Sequence, residues 1–319
     1  MRKYLAFSLL LVFGCVLSAA GGVWEKRDSG VLAWLYAVEF LDGQTGFAAG
    51  SNGTLLATID GGTHWIKLEL PVSDTVRDIH FVDRSNGWLL CDRGRFDSSR
   101  NASYLLRTAD AARTWSIVEF TGRSERFSRL FFSPNGTGYA VGEGGIMSGL
   151  PSEENAQLNG TLPVHFLMSD GTALDASTLV LVGGGGTVIV SNSAGRRWTA
   201  ARFAGKRPTW KLNAVSFVDQ RNGWIAGSRG SVYSTVDGGG LWRAGNSGTE
   251  ADLLDIAFYD RNNGFAVGGA GIILRTGNAG ATWTSDTSRS RHRLERLAFA
   301  GKRVVAVGFG GTILTTELP

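Results

Sequence analysis

Short apolar runs recur along the chain, cut at regular intervals by Asp, Asn and Gly, which predicts β-strands joined by tight turns. One stretch shows the whole unit: Leu254 to Trp283, LDIAFYDRNNGFAVGGAGIILRTGNAGATW. It predicts strands over Leu254–Tyr259, Phe265–Gly268 and Ile272–Thr276, joined by an Asn-Gly turn and a Gly-rich turn. A further Gly-bearing turn ends at Trp283. Leu212 to Trp242 and Leu35 to Trp65 carry the same parts in the same order. A period of about 40–50 residues built from short strands is the signature of a propeller blade.

Six of the inner strands carry an apolar residue at one register: Phe40, Phe81, Phe131 or Phe132, Phe217, Phe258 and Phe299, with several gaps of 41 residues. Turns such as Asp83-Arg84-Ser85-Asn86-Gly87 follow, whose Asn-Gly is expected to take positive φ and close a hairpin. Paired glycines, from Gly50/Gly53 to Gly308/Gly311, mark the second hairpin. They join strand to strand without the Lys and helix of a phosphate loop, so they read as turns. Seven units count out; the third lacks its terminal Trp, and Gly149–Gly160 reads as a surface loop. The last unit stops at Pro319 after three strands. Gly22 to Arg27, with Trp24, is expected to supply its fourth strand and close the ring, removing open edges. The expectation is an all-β, seven-bladed β-propeller of four-stranded blades, a single domain over residues 21–319.

Composition changes this picture little: 45 glycines, 6 prolines and 43% hydrophobic residues exclude disorder and suit many turns. Residues 1–20 read as a secretory signal peptide, with Arg2 and Lys3, an apolar run from Tyr4 to Leu17, then Ser18-Ala19-Ala20. Cys15 is the acylated residue of an alternative lipoprotein reading, with Phe13 bulky for that signal. Losing the leader takes Lys+Arg from 32 to 30 against 28 Asp+Glu, and this near balance argues against a nucleic-acid partner. Cys91 is then the only cysteine, so the core carries stability without an intramolecular disulfide. The expected product is an exported monomer of the periplasm, or of a lumen in a photosynthetic host.

A short box follows each third strand. It spans Thr58 to Trp65 around Asp60, Thr108 to Trp115 around Asp110, and Thr235 to Trp242 around Asp237. Weaker copies end at Trp198 and, with Asn278 for the Asp, at Trp283. The short side chain accepts turn N–H groups, Gly relaxes the backbone and the Trp buries against its neighbour, so these residues are expected to be structural. The boxes resemble the Asp-box, or BNR, repeats of sialidases and related propellers. The fuller pattern, inner-strand Phe, Asp-x-x-Asn-Gly-Trp, Gly-x-x-Gly and box, resembles the photosystem II stability/assembly factor (Ycf48/Hcf136-like) family over Gly22 to Pro319. That resemblance implies a seven-bladed, exported, non-enzymatic protein that helps assemble the D1 reaction-centre subunit, binding partly through an arginine patch. The implied client is a D1 precursor in a photosynthetic host and another envelope membrane protein elsewhere.

Loops on the expected ligand face carry Arg93, Arg95 and Arg100, then Arg123 and Arg126, Arg207 and Lys211, Arg229, and Arg291 and Arg293. Arginine suits bidentate capture of carboxylates, and Trp34 and Trp210 are candidate aromatic anchors beside them. Neighbouring Asp92, Asp97, Glu125, Glu143 and Asp252 pose the plainer alternative of a self-paired surface. The rival class is a secreted, sialidase-like glycoside hydrolase, which needs a Tyr nucleophile with Glu beside an arginine triad. No such pairing stands out, and the four histidines lack ligand spacing, so neither a catalytic residue, a metal site nor a cofactor is expected.

Overall fold

A computed structural model of the protein describes residues 23–94, 102–121, 126–143, 146–150, 156–158, 162 and 166–318. The leader with Cys15, and Arg95, Arg100 and Arg123, lie outside the described residues. The fold is an all-β propeller. In the first repeat Leu35–Phe40, Gly46–Gly50, Thr54–Thr58 and Ile66–Leu68 pair antiparallel in chain order, and later repeats vary this plan.

The strands form six sheets, where seven separate four-stranded blades were expected. Ala156–Leu158, within the stretch expected to be a surface loop, pairs antiparallel with Ile146–Leu150 and parallel with Ser116–Thr121. That bridge fuses the second and third repeats into one eight-stranded sheet. Arg202–Ala204 likewise lies parallel to Leu241–Ala244 and makes the fifth repeat five-stranded. Both additions satisfy backbone groups that an outer strand would leave open. At the chain ends, Glu25–Arg27 pairs antiparallel with Ile313–Glu317. Trp24 is buried beside Phe265, Leu294 and Leu314, and its Nε1 donates to Asp286 Oδ2 at 3.2 Å.

Apolar clusters fill the spaces between consecutive repeats. Phe47 stacks on Phe81 at 4.4 Å and Trp224 on Phe258 at 3.6 Å, each pair crossing from one repeat to the next. The box tryptophans meet the same phenylalanines edge-on within a repeat: Phe40–Trp65 at 6.1 Å, Phe81–Trp115 at 6.4 Å, Phe217–Trp242 at 5.9 Å and Phe258–Trp283 at 5.8 Å. Leu35, Leu56 and Trp65 share a cluster with Val305 and Ile313, which places the first repeat against the last.

The Asn-Gly turns differ from expectation. Asn86, Asn222 and Asn263 and the glycines after them do not take positive φ. Asp83 Oδ1 instead accepts the N–H groups of Ser85 at 2.7 Å and Asn86 at 2.8 Å, and the Asn86 amide donates back to the same carboxylate. Gly87 opens the second strand, and a Cβ there would lie 2.5 Å from the Phe81 ring. The glycine makes room for an aromatic ring; the carboxylate makes the turn.

The boxes form the opposite end of each repeat from the inner-strand starts. Thr58 Oγ1 accepts the Gly62 N–H, and Asp60 Oδ1 accepts those of Thr63 and His64 at 3.0 Å. Asp110 Oδ1 accepts the Thr114 N–H, Asp237 Oδ1 that of Leu241, and Asn278 Oδ1 that of Thr282. In the copy ending at Trp198, Ser193 Oγ serves Arg197.

Candidate functional site

Every inner strand contains a β-bulge at the same place. The residues skipped by the pairing are Tyr36, Arg77, Ser128, Ser169, Asn213, Leu254 and Glu295. A bulge sets two residues against one and re-aims a side chain. Here all of these side chains line one cavity of about 370 Å³ where the inner strands begin. Each stands four residues before the register position, so Phe132 rather than Phe131 is the register residue of the third repeat.

At five of the seven bulges the next residue is charged, and these side chains join the repeats in a floor. Asp78 Oδ2 accepts the Leu130 N–H at 2.7 Å, Asp170 Oδ2 that of Val215 at 3.0 Å and Asp255 Oδ2 that of Leu297 at 2.7 Å. Each bond runs from one repeat to the next. Arg296 Nη1 donates to Asp255 Oδ1 at 3.0 Å, and Arg129 Nε lies 3.7 Å from Asp170 Oδ1. Burial pushes the Asp170 carboxyl up to about 6 against the pull of Arg129. Burial and then the charge of Asp170 push Asp255 up to about 8.

Above the floor the cavity is basic and aromatic. Arg77, Arg126, Arg129, Lys211 and Arg293 line it with Asp92, Glu143 and Glu295. Trp34 stacks on Tyr36 at 5.4 Å, Arg77 lies 4.6 Å over the Tyr36 ring, and Trp34 Nε1 donates to Glu295 Oε1 at 2.9 Å. Arg77 donates to Asp92 Oδ2 from Nε at 3.2 Å and from Nη2 at 3.1 Å, and Arg126 Nη1 sits 3.4 Å from the same oxygen. Asp92 Oδ1, Ser169 Oγ and Arg129 Nε are buried without a hydrogen-bond partner among the described residues. Lys211 has no ion-pair partner among them, and desolvation, then the charges of Arg129 and Arg293, lower its pKa. Donors and acceptors left over in a charged concavity equip it for a polar ligand.

Of the sequence candidates, Trp34, Arg126, Lys211 and Arg293 meet at this cavity. Arg93 turns away, donating to Glu119 at 3.1 and 2.6 Å and covering the Tyr104 ring at 3.9 Å. Arg207 Nε donates to Gly186 O, Arg229 covers Trp210 at 5.6 Å, and Arg291 is exposed near the rim. Sequence reasoning missed Tyr36, Arg77, Arg129 and Glu295 because it searched loops. The signal was the fixed offset from the inner-strand Phe. Among the described residues no group of three or more His, Cys, Asp or Glu is placed to hold a metal ion.

Known proteins match this chain in both sequence and fold. The Photosystem II assembly protein Ycf48 of Synechococcus sp. (strain JA-3-3Ab) is 27% identical over 58% of this chain and 53% of its own length, so the match spans about half of that relative. The Photosystem II assembly lipoprotein Ycf48 of Trichormus variabilis is 23% identical over 73% of this chain and 80% of its own. A solved structure described as YCF48 bound to D1 peptide superposes with a TM-score of 0.73 at 20% identity, covering 93% of this chain and 97% of that one. The family model for the photosynthesis system II assembly factor YCF48 matches residues 98–236 and 239–317, more than half of the sequence, and the chain belongs to that family.

Proposed function

We propose that the protein is an assembly factor that captures an acidic or carboxylate-ended segment of a membrane-protein client in its axial funnel. The convergence of Arg77, Arg126, Arg129, Lys211 and Arg293 on one cavity beside Trp34 and Tyr36 carries the reading. Guanidinium groups held by bulged strands and partly balanced by Asp92 and Glu295 are pre-aimed, so little side-chain entropy is lost on binding. The relative solved with a D1 peptide supports a D1 precursor as client in a photosynthetic host; in any other host the proposed client is another envelope membrane protein. Relatives named lipoproteins support export and membrane attachment, with residues 1–20 as the leader. We also count seven repeat units in the ring, closed by the N-terminal strand. The pairing of Glu25–Arg27 with Ile313–Glu317 supports the closure, and the seven bulged inner strands support the count.

The task we propose is binding without catalysis. Desolvation raises the Tyr36 phenol, opposed by Arg77, whereas a tyrosine nucleophile is helped by a lowered value. Combining Arg126→Ala, Lys211→Ala and Arg293→Ala should weaken binding of a D1-derived peptide by at least ~30-fold, as expected for lost charged contacts worth about 2 kcal/mol or more. The melting temperature should hold. Unchanged affinity would refute the funnel, and hydrolysis of sialosides or β-glucosides by the pure protein would favour the glycosidase.

A further inference from the structure

The exposed tryptophan and phenylalanine side chains among the described residues share one face. Phe166, Trp210 and Phe309 are 54%, 38% and 47% exposed. All stand where the linkers into the inner strands meet the second-to-third-strand hairpins, around the mouth of the funnel. Trp210 O accepts the Gly186 N–H of one hairpin, Phe166 packs over Gly184 and Gly185 of the same hairpin, and Phe309 opens another. Leu32, 91% exposed, precedes Ala33, whose carbonyl accepts the Gly311 N–H of that last hairpin.

Cations stand between them. Arg207, Arg229 and Arg291 are exposed on this face and form no ion pair among the described residues. Arg229 lies over the Trp210 ring. Among the exposed acids, Glu250 and Asp252 fall together on the linker of the sixth repeat, which carries no exposed aromatic, while Asp28 stands on the linker of the first and Glu143 at the cavity. A protein hot spot gathers its apolar anchors into one desolvated cluster. Here they are spread over the linkers of the first, fourth and fifth repeats and the hairpin of the last, with Arg229 lying over one of them. That spacing fits a broad, chemically uniform, negatively charged surface, with aromatic rings at headgroup level and cations at the lipid charges.

We propose that this face docks on an anionic lipid bilayer, Leu32, Phe166, Trp210 and Phe309 entering the headgroup region. The funnel then opens toward the membrane. The inference does not depend on the client reading, because a bilayer without protein suffices to test it. Every described strand lies within 25–317, and a chain beginning at residue 21 retains all of them while leaving out Cys15.

Such a chain is sedimented with vesicles of phosphatidylcholine alone and of phosphatidylcholine with phosphatidylglycerol, at low and high salt. Binding should favour the anionic vesicles and weaken with salt. The variant Leu32→Ser/Phe166→Ser/Phe309→Ser should bind them about tenfold less tightly, as expected for three partly inserted apolar side chains. Its melting temperature and its affinity for a D1-derived peptide should stay at wild-type values. No binding to anionic vesicles, or equal binding by the variant, overturns the proposal. Loss of peptide affinity with unchanged vesicle binding overturns it too, and makes the rim a protein contact. Failure of the funnel variant to lose peptide, by contrast, bears only on the client reading.

Discussion

The buried acids of the funnel floor make stability depend on pH in a direction opposite to acid denaturation. Asp255 is held at about 8 by burial and by the neighbouring Asp170, whose own carboxyl is raised to about 6. Both groups have an ordinary value of 3.8. From about pH 4 to about pH 8 the folded chain therefore keeps a proton on Asp255 that the unfolded chain has lost, and stability falls as pH rises. Asp170 adds to this slope below about pH 6 and contributes little more above it. Burial raises Asp78 and Glu39 in the same direction. Box carboxylates act outside this window: hydrogen bonds from Thr114 hold Asp110 at about 2. Each differential proton is worth up to about 1.4 kcal/mol per pH unit, so Asp255 alone should remove about 2 kcal/mol between pH 6 and pH 8. In a chain of this size that lowers Tm by about 3 °C. Thermal melts followed by circular dichroism from pH 5 to pH 8 measure the slope. Asp255→Asn should melt lower throughout, because the amide gives Arg296 a poorer acceptor, but with a slope smaller by about one proton. A wild-type Tm that is flat or rises from pH 6 to pH 8, or an unchanged slope in the variant, would refute the argument.

Two packing predictions follow from the repeat. Gly264→Ala places a Cβ 2.6 Å from the Phe258 ring, which is pinned between Trp224 and Trp283, and should cost about 2–3 kcal/mol in urea unfolding. A loss well under about 1 kcal/mol would mean that the stack gives way. Trp24→Ala empties a buried site at the junction of the chain ends and should cost about 3–5 kcal/mol by calorimetry. Near-wild-type stability would refute the proposal that the N-terminal strand closes the ring.

Much of the architecture was legible because it is locally encoded. The box at Asp60, the glycines of the second hairpins and the third strand Thr54–Thr58 all stand where their spacing placed them. The hydrophobic register was right in position and incomplete in meaning: Phe81 and Phe258 bridge repeats through rings that also dictate glycine at Gly87 and Gly264. The site was half legible. Loop residues Arg126, Lys211 and Arg293 were visible as cations near inner strands, but Arg77 and Arg129 read as ordinary strand positions. A β-bulge leaves no mark on a hydrophobic pattern beyond one residue out of step, and only the comparison of all repeats at the same offset exposes it.

The sequence by itself determined the repeat, its strand order and the chemistry of the box turns. Those depend on contacts within some 10 residues, where side-chain period and hydrogen-bonding turns act directly. Tertiary structure alone decided that Ala156–Leu158 would fuse two repeats into one sheet, that Arg93 would fold back onto Glu119, and that one bulged residue from every repeat would face a common axis. Those outcomes depend on which strands and charges far apart in the chain come to lie side by side, and no local pattern records such neighbours.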